Sequence, residues 1–347
     1  MNCWATSAEL LTARPDLARL HGMEMTHWKE KMELRWRATA QNDFDAFYKT
    51  CYFRDCDNKP LRETMAHEWR VLLENPATLS MVVEDNARPK NQCLLGCAQL
   101  VFVSDKFVQW AKDAPSPGGN VQATHSLPDG SWPLLTVEEI GAANAGIGLN
   151  ALFTRWARAN ALLTREAQME VGRYMHDSFV LLTRGYQFRE ILIDVIGEPA
   201  REMGMRAGFL DQNRYEDHFK VCPVPPAQRP FLMGLTREDA FAMEGHVMSH
   251  YFSYSLPRFG FSSSEQDMLI LCQSLPNATN QTLALSLKVS LSSVKNGWAS
   301  IYLRVRDVVP DLLPSVAEDN TRGPEKRRAL LQYLRDHPEE LRPYKLL

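Results

Sequence analysis

The length, composition and charge of the chain set the first limits on its function. Its 347 residues, 45% of them hydrophobic, are enough for two or three domains with buried cores. The net charge of −3 and the pI of about 6.3 exclude a general affinity for nucleic acid, so any contact with DNA must be local. The first residues lack the pattern of a signal peptide, and no apolar run reaches the roughly 20 residues of a membrane span, which predicts a cytoplasmic protein.

The first part of the chain alternates helical and strand patterns. Residues 43–53 and 60–73 have the apolar spacing of helices. Residues 79–83 and 94–103 are apolar and rich in β-branched side chains, and polar turn residues separate them, which predicts an antiparallel hairpin. Residues 113–132, with several prolines and glycines, predict a loop.

Helical patterns dominate the next segment. The sequence predicts helices at 149–163, 166–183 and 198–207, strands at 190–196 and 215–222, a proline-rich linker at 223–230, and a connector helix at 237–254 that is capped by Thr236. The connector helix has an apolar side that could pack on the preceding domain or pair two protomers.

Cysteine and histidine patterns give no strong signal for chemistry. Seven cysteines are scattered through the chain, at positions Cys3, Cys51, Cys56, Cys93, Cys97, Cys222 and Cys272. An odd, scattered set is typical of reduced thiols rather than of a disulfide framework, and a thiol sensor at Cys51 and Cys56 is an unsupported alternative. His246 and His250 have the spacing of helical metal ligands, but with no third ligand nearby in sequence they are interpreted as surface or interface histidines.

Several short motifs before residue 222 resemble the GNAT fold of acyl-CoA N-acyltransferases. They are Val82-Val83-Glu84-Asp85 with Leu95-Gly96 for an early hairpin, Leu192-Ile193-Asp194-Val195 for a late strand, and Glu198-Pro199-Ala200-Arg201 with Ala207-Gly208-Phe209 for the helix after it. The resemblance implies an α+β domain with a mixed sheet, and acetyl-CoA or another acyl-CoA as cofactor. It assigns no catalytic residue.

The same resemblance implies a loop that holds the pyrophosphate of the cofactor at a helix N-terminus. The nearest match is Ala143-Asn144-Ala145-Gly146-Ile147-Gly148, which makes Gly146 and Gly148 the candidate cofactor-binding residues. An alanine stands where the family pattern has a glutamine or arginine. A plain tight turn is the alternative interpretation of the two glycines.

A compact helical unit is predicted at residues 261–305. Ser262-Ser263-Ser264-Glu265 has the pattern of a capping box, and Pro276-Asn277 ends the first helix. A second helix starts at Thr279 or Asn280, and a third starts at Ser290 or Ser292 after a short turn. The third helix has one apolar side and one side that is small, polar and cationic, which suits a helix lying in a major groove.

This unit resembles the C-terminal DNA-binding domain of LuxR-type transcription regulators. The matching residues are Phe261, Glu265, Asp267, Met268 and Leu269, then Thr279-Asn280-Gln281-Thr282-Leu283-Ala284, then Val289-Ser290-Leu291-Ser292-Ser293-Val294-Lys295. The resemblance implies a helix-turn-helix, action as a homodimer, and contacts to double-stranded DNA from Thr279, Asn280, Ser292, Ser293, Lys295, Asn296, Ser300 and Arg304. Residues 257–310 carry five cations and three anions, a net charge of only +2. A three-helix packing element that binds no nucleic acid is the alternative.

The sequence therefore predicts four segments. They are an α+β GNAT-like sensor or dimerisation domain at 1–222, a linker and connector helix at 223–256, an all-α helix-turn-helix domain at 257–310, and a helical extension at 311–347 whose charges balance. The leading hypothesis is a transcription regulator in which a small-molecule or protein effector acts through the N-terminal domain. The alternative is an acyl-CoA-dependent N-acyltransferase whose C-terminal helices dock a partner.

Overall fold

A computed structural model describes residues 32–49, 59–90, 92–159, 162–243, 245–253, 255–275, 277–314 and 323–344. The chain divides into two compact units, the first within residues 1–139, 148–183 and 188–252 and the second within 140–147, 184–187 and 253–347. Cys3, Cys51 and Cys56 lie outside the described residues. Over the described ranges, no helix is long and apolar enough to cross a membrane.

The first unit is built around a seven-stranded mixed sheet. Its strands are β1 (Leu34–Ala38), β2 (Thr78–Asp85), β3 (Leu94–Val103), β4 (Leu149–Arg158), β5 (Phe188–Ile196), β6 (Leu210–Asn213) and β7 (Pro230–Thr236). They lie in the order β1-β2-β3-β4-β5-β7-β6; β4 and β5 run parallel, and the other neighbours run antiparallel. The predicted α+β class with a mixed sheet is confirmed.

Helices connect these strands. They are α1 (Phe44–Phe47), α2 (Lys59–Glu74), α3 (Asp105–Asp113), α4 (Gly119–Gln122), α5 (Val137–Ala145), α6 (Arg165–Thr183), α7 (Glu198–Arg206), α8 (Glu216–Val221), α9 (Arg237–Ala242) and α10 (Ser249–Phe252). Parallel strands need a long crossover connection, and α6 supplies it between β4 and β5. Trp69 of α2 packs in one apolar cluster with Cys97 of β3, whereas Met175 of α6 lies against the adjacent Gly96. Because neighbouring strand residues face opposite sides, α2 and α6 cover opposite faces of the sheet.

The second unit is helical beyond residue 262. Its helices are α11 (Ser263–Ser274), α12 (Asn280–Ser286), α13 (Leu291–Val308) and α14 (Gly323–Asp336). The predicted caps are present, since the hydroxyls of Ser262, Thr279 and Ser290 accept hydrogen bonds from backbone amides three residues later, at 3.4, 3.1 and 3.0 Å. The buried core includes Leu269, Leu283, Ile301 and Leu330, one from each helix.

Two predicted elements have the wrong type. Residues 149–158 form strand β4, although their leucine, alanine and arginine content favours a helix. Seven consecutive buried positions from Leu149 explain the difference, because a position between β3 and β5 overrides local propensity. Residues 216–221 form helix α8 rather than a strand.

The predicted linker and connector are also different in the structure. Residues 230–236 are not linker but strand β7, which pairs with both β5 and β6 inside the sheet. The connector helix is not continuous, because α9 ends at Ala242 and α10 begins at Ser249, and Gly245 between them has a φ of 70° that no right-handed helix contains.

One glycine of the first unit is required by its surroundings. Gly197 has a φ of 83°, and an added Cβ would lie 2.4 Å from the carbonyl oxygen of Ala227. Gly197→Ala is therefore expected to lower the free energy of unfolding by at least about 3 kcal/mol, from conformational strain and from the displaced backbone. Gly130→Ala is the matched control, since Gly130 has a φ of 81° with open space around it. Urea denaturation giving equal losses for both variants would contradict the steric argument.

Candidate active site

The parallel strands β4 and β5 separate at their C-terminal ends. They pair from Leu149 with Phe188 to Phe153 with Ile193, and the pairing ends there, although β4 continues to Arg158 and β5 to Ile196. Each strand keeps its other neighbour beyond that point, since Arg155 to Arg158 pair with β3 and Asp194 to Ile196 pair with β7. The sheet therefore opens between two strands that are both held in place, and backbone groups on the inner edges have no ladder partner across the gap.

A bulge marks the position where β4 leaves β5. The register of β4 on β3 shifts between Gln99 and Leu100, which leaves Thr154 as an extra residue. The Thr154 hydroxyl donates a hydrogen bond to Oε1 of Gln99 at 2.8 Å, and the Arg155 guanidinium donates to the same oxygen. A bulge with a buried polar cluster re-aims side chains, which makes this end of the strand a candidate site.

Asp194 is the first residue of β5 beyond the paired segment. Its Oδ2 accepts a hydrogen bond from the backbone amide of Asn120, at the start of α4, at 3.1 Å. Its Oδ1 is buried and has no hydrogen-bond partner among the described residues. Burial raises the pKa of Asp194 to about 6, against an ordinary value of 3.8. A carboxyl group that titrates close to neutral pH can accept a proton from a reacting group.

Tyr215 lies close enough to Asp194 for the charge of the carboxylate to affect the pKa of its hydroxyl. Its side chain is buried, and burial together with the charge of Asp194 raises the pKa of the Tyr215 hydroxyl well above its usual range. The backbone of Tyr215 is left-handed, with a φ of 53°, and Oδ1 of Asn213 accepts a hydrogen bond from its amide at 2.9 Å. The phenol therefore stays protonated, and its O–H can donate a hydrogen bond.

A second buried carboxyl belongs to Glu68 on α2. It forms an ion pair with Arg155 at 3.5 Å, in which both side chains are largely buried. Burial raises the pKa of Glu68, and the positive charge of Arg155 opposes that shift. The Arg155 guanidinium also lies over the ring of Trp69 at 5.4 Å. These contacts fix Arg155 under the bulge of β4.

Helix α4 and the residues after it connect the two carboxyl groups. Asn120 at its start contacts Asp194, and the carbonyl of Val121 lies 2.9 Å from Nδ1 of His125, a residue close to Glu68. The structure thus pairs Glu68 with Arg155 and places Asp194 near Tyr215, and residues 120–125 approach both pairs.

Comparison with known proteins gives distant structural similarity. No family model matches the chain, and no curated protein matches it. A chimera of the spermidine N-acetyltransferase SpeG from Vibrio cholerae and hSSAT is 15% identical, with a TM-score of 0.33, over 58% of this chain and 95% of that one. The N-acyl amino acid synthase FeeM from uncultured soil microbes is 11% identical, with a TM-score of 0.35, over 62% and 96%. The C-terminal condensation domain of Ebony, in complex with beta-alanyl-dopamine, is 12% identical, with a TM-score of 0.35, over 59% and 100%.

Similarity at this level carries no inference about activity. The LuxR-type resemblance of residues 261–305 stays a prediction.

Gly146 and Gly148 do not lie where a phosphate loop was expected. They form a turn that follows α5 and leads into β4, and Gly148 has a φ of 96°. No helix begins at this turn, because the residues that follow form strand β4. The predicted helix N-terminus is therefore wrong. Cofactor binding by these glycines stays an untested prediction.

The predicted DNA contacts fall into two groups. Four have partners within the second unit: Thr279 caps α12, Oδ1 of Asn280 accepts a hydrogen bond from Arg327 at 2.6 Å, Ser300 hydrogen bonds to Glu265, and Arg304 lies 3.5 Å from the same carboxylate. The other four, Ser292, Ser293, Lys295 and Asn296, are exposed on the first turns of α13, where the hydroxyls of Ser292 and Ser293 hydrogen bond to that of Ser290 at 2.7 and 2.8 Å.

The two buried carboxyl groups, Asp194 and Glu68, were not predicted from the sequence. Asp194 belongs to the motif Leu192-Ile193-Asp194-Val195, which predicted a strand and gave this residue no role. Glu68 and Arg155 are 87 positions apart and meet only through the packing of α2 on the sheet, and Arg155 was placed in a helix. A single charged residue at the end of an apolar strand, as at Asp194, is the one signal that could have indicated a site.

Proposed function

We propose that the first unit is an N-acyltransferase that moves an acyl group from a thioester such as acetyl-CoA to an amine. The observation that carries the proposal is the opening between β4 and β5, with the titratable carboxyl of Asp194 at its edge. Ligands of sheets with parallel strands bind outside the carboxyl ends of those strands, where adjacent connections diverge.

The inner edges of the opening suit an extended donor. Backbone groups of β4 beyond Phe153 have no partner across the gap, and the amides of an extended chain such as pantetheine can pair with them as an added strand does. The 19-residue helix α6 begins after β4, and its N-terminal end favours a phosphate. Arg165 is exposed in its first turn and adds a positive charge. The segment between β4 and α6 contains no glycine, so the proposed phosphate contact depends on the N-terminus of α6 and on Arg165.

The carboxyl of Asp194 is the proposed general base. In the transfer, the amine nitrogen forms a bond to the thioester carbonyl carbon, the carbon–sulfur bond breaks, and the proton lost by the amine passes to Asp194. The thiolate leaves and takes up a proton from solvent to become the free thiol. Tyr215 is a protonated donor close to Asp194 and supplies a hydrogen bond in the same region. Arg155 and Glu68 position the bulged end of β4.

The direct test measures free thiol released from acetyl-CoA and longer acyl-CoA donors in the presence of a panel of amines. Amine-dependent thiol release, with the acylated amine identified by mass spectrometry, is the expected result. If calorimetry shows no binding of any acyl-CoA and no thiol is released, the proposal is wrong.

A second function, sequence-dependent binding of double-stranded DNA by the second unit, has a separate observation in its favour. Helices α12 and α13 are joined by four residues, of which Lys288 has a left-handed φ of 54°, and the next turn exposes Ser292, Ser293, Lys295 and Asn296. A short turn between two packed helices, with polar side chains on the start of the second, is the geometry by which a recognition helix meets base edges. The low charge of this segment makes dimerisation a part of the proposal.

We expect Lys295→Ala with Asn296→Ala to weaken binding to selected genomic fragments by at least about tenfold in an electrophoretic shift. The control is Lys220→Ala, which removes an exposed cation of the first unit and should leave binding unchanged. Binding that lacks salt or sequence dependence, or that is equal in the double variant and wild type, would exclude this function.

A further inference from the structure

A groove lined by cations lies beside the exposed start of α13 in the second unit. Its walls come from α13, α14 and the start of α12, and its volume is about 730 Å³. Lys295, Arg327, Arg328 and Arg335 line it, and none of the described residues along its walls is acidic. A surface with cations and no anions raises the local concentration of polyanions by electrostatic attraction.

Arg327 has a structural role in this groove. Its guanidinium donates hydrogen bonds to the carbonyl of Ala278 at 2.8 Å and to Oδ1 of Asn280 at 2.6 Å. Its Cζ also lies over the ring of Trp298, 4.3 Å from the centroid. These contacts hold α14 against the start of α12. Because Oδ1 of Asn280 is engaged with Arg327, the Nδ2 donors of this amide are the ones that can contact an external partner.

Arg328 and Arg335 are the groove cations of α14 that remain available to a partner. Both are exposed, and neither has a carboxylate partner among the described residues. Nη1 of Arg335 donates a hydrogen bond to Oε1 of Gln332 at 3.2 Å, and this acceptor is neutral. The two arginines are two helical turns apart, about 10 Å along the axis of α14. Phosphates repeat about every 3.4 Å along one strand of DNA, so each arginine can reach a different phosphate.

The balanced charge of the C-terminal extension does not cancel these cations. Glu339 and Glu340 are only 4% and 1% exposed. Glu339 pairs with Arg184 at 3.1 Å, and the carboxylate of Glu340 accepts hydrogen bonds from two backbone amides at 2.9 Å. The acidic residues of α14, Glu325 and Asp336, do not line the groove. Because two of the acids are buried and bound internally, the exposed surface of α14 is more basic than its composition indicates.

We propose that α14 binds the sugar-phosphate backbone of double-stranded DNA beside the bases that α13 contacts. This inference rests on the proposed DNA binding by the second unit. In a helix-turn-helix the first helix crosses the phosphate backbone while the second lies in the major groove. The groove is lined at the start of that first helix, α12, by Asn280, and Lys295 belongs both to the groove and to the exposed start of α13. The groove therefore continues the surface that meets the DNA.

The contacts from α14 add to a weak electrostatic surface. Residues 257–310 have a net charge of only +2, whereas affinity for DNA depends strongly on the number of neutralised phosphates. Arg328 and Arg335 each bind one phosphate, and the amide of Asn280 donates to the same strand. Contacts of this kind position the protein without reading the sequence, so α14 contributes to affinity, and α13 contributes to specificity.

The salt dependence of DNA binding tests the proposal. Fluorescence anisotropy on the full chain is measured with a selected genomic fragment and with a random-sequence duplex of the same length. Arg328→Ala with Arg335→Ala should lower the slope of log K against log salt by about 1.8, because each neutralised phosphate contributes about 0.9. It should weaken binding to both duplexes by the same factor, at least about tenfold at 0.1 M salt. The matched control, Lys326→Ala with Arg306→Ala, removes two cations that do not line the groove and should change the slope by less than about 0.5.

A charge-conserving variant separates phosphate contact from structural damage. Arg328→Lys with Arg335→Lys keeps both charges and should keep the wild-type slope, whereas a loss of slope in this variant as large as in the alanine variant would overturn the proposal. Far-ultraviolet circular dichroism and the thermal midpoint confirm that each variant is folded.

The outcomes also distinguish α14 from the proposed function. Binding by wild type with equal slopes in the groove variant and its control would overturn only the role of α14. Salt-dependent binding without sequence preference, with a lower slope in the groove variant, would support the role of α14 and exclude sequence-dependent recognition. If wild type binds neither duplex, both proposals are wrong.

Discussion

Asp194→Asn is expected to lower the rate of acyl transfer by at least about 100-fold, because an amide cannot accept the proton that leaves the amine. In wild type the rate should rise with pH through about 6, the pKa to which burial raises Asp194, and then level off. Single-turnover thiol release across pH 4.5 to 8 measures both effects. The residual rate of the variant should lack this rise.

The same substitution is expected to stabilise the fold at neutral pH. The folded-state pKa of Asp194, about 6, exceeds the ordinary value of 3.8. The free energy of unfolding of wild type is therefore highest below about pH 4, where the carboxyl is neutral, and falls as the pH rises towards 6. Asparagine carries no charge at any pH. Its free energy of unfolding should therefore exceed that of wild type by about 2 kcal/mol above pH 6, a value reduced for the partial exposure of the residue.

Asp217→Asn is the control for this pair of effects. Asp217 is an exposed carboxylate of α8 that pairs with Lys220, and its replacement makes the same change in charge. It should leave the rate and its pH profile as they are in wild type. A variant at Asp194 that keeps the wild-type rate would show that this carboxyl is not the base. A variant that loses stability above pH 6 would show that it is not a destabilising buried charge.

Glu68→Ala is expected to lower the free energy of unfolding by about 3 kcal/mol. The substitution leaves the Arg155 guanidinium, whose side chain is 4% exposed, without its carboxylate partner. Removing one member of a buried ion pair is costly because the remaining charge is neither hydrated nor compensated. Urea denaturation at pH 7, where the slope of the transition shows whether unfolding stays two-state, gives the value.

A change on the exposed side of the same helix separates the ion pair from effects on helix propensity. Glu74→Ala, at the exposed C-terminal end of α2, should change the free energy of unfolding by no more than about 0.5 kcal/mol. Equal effects of the two substitutions would mean that Arg155 finds other compensation. Glu68→Gln keeps an acceptor and should lie between wild type and Glu68→Ala.

Local patterns were sufficient for elements whose signals lie within a few residues. The hairpin β2–β3 was predicted at 79–83 and 94–103, and the strands span 78–85 and 94–103. Helix starts were predicted within 262–265, at Thr279 or Asn280, and at Ser290 or Ser292, and the structure has the capping hydrogen bonds at Ser262, Thr279 and Ser290. Capping and alternation are short-range effects, and a sequence window contains all the atoms involved.

Local reasoning was wrong for strand β4, and because of that error the candidate site could not be predicted. Its sequence favours a helix, and only the buried position between β3 and β5 makes it a strand. Without β4, the crossover helix α6 connects no parallel pair, and the opening between β4 and β5 cannot be inferred. The glycines at 146 and 148 were then assigned to a helix start that does not exist.

The amino-acid sequence by itself determined the α+β class of the first unit, the capped helices of the second, and the polar exposed start of α13. The tertiary structure alone decided that Asp194 follows the paired segment of β5, that Glu68 meets Arg155, and that Arg327 lies over the Trp298 ring. The physical reason is how far apart along the chain the interacting residues lie. Hydrogen bonds of caps and strands act between near neighbours, whereas burial, desolvation and charge pairing depend on which distant segments pack together.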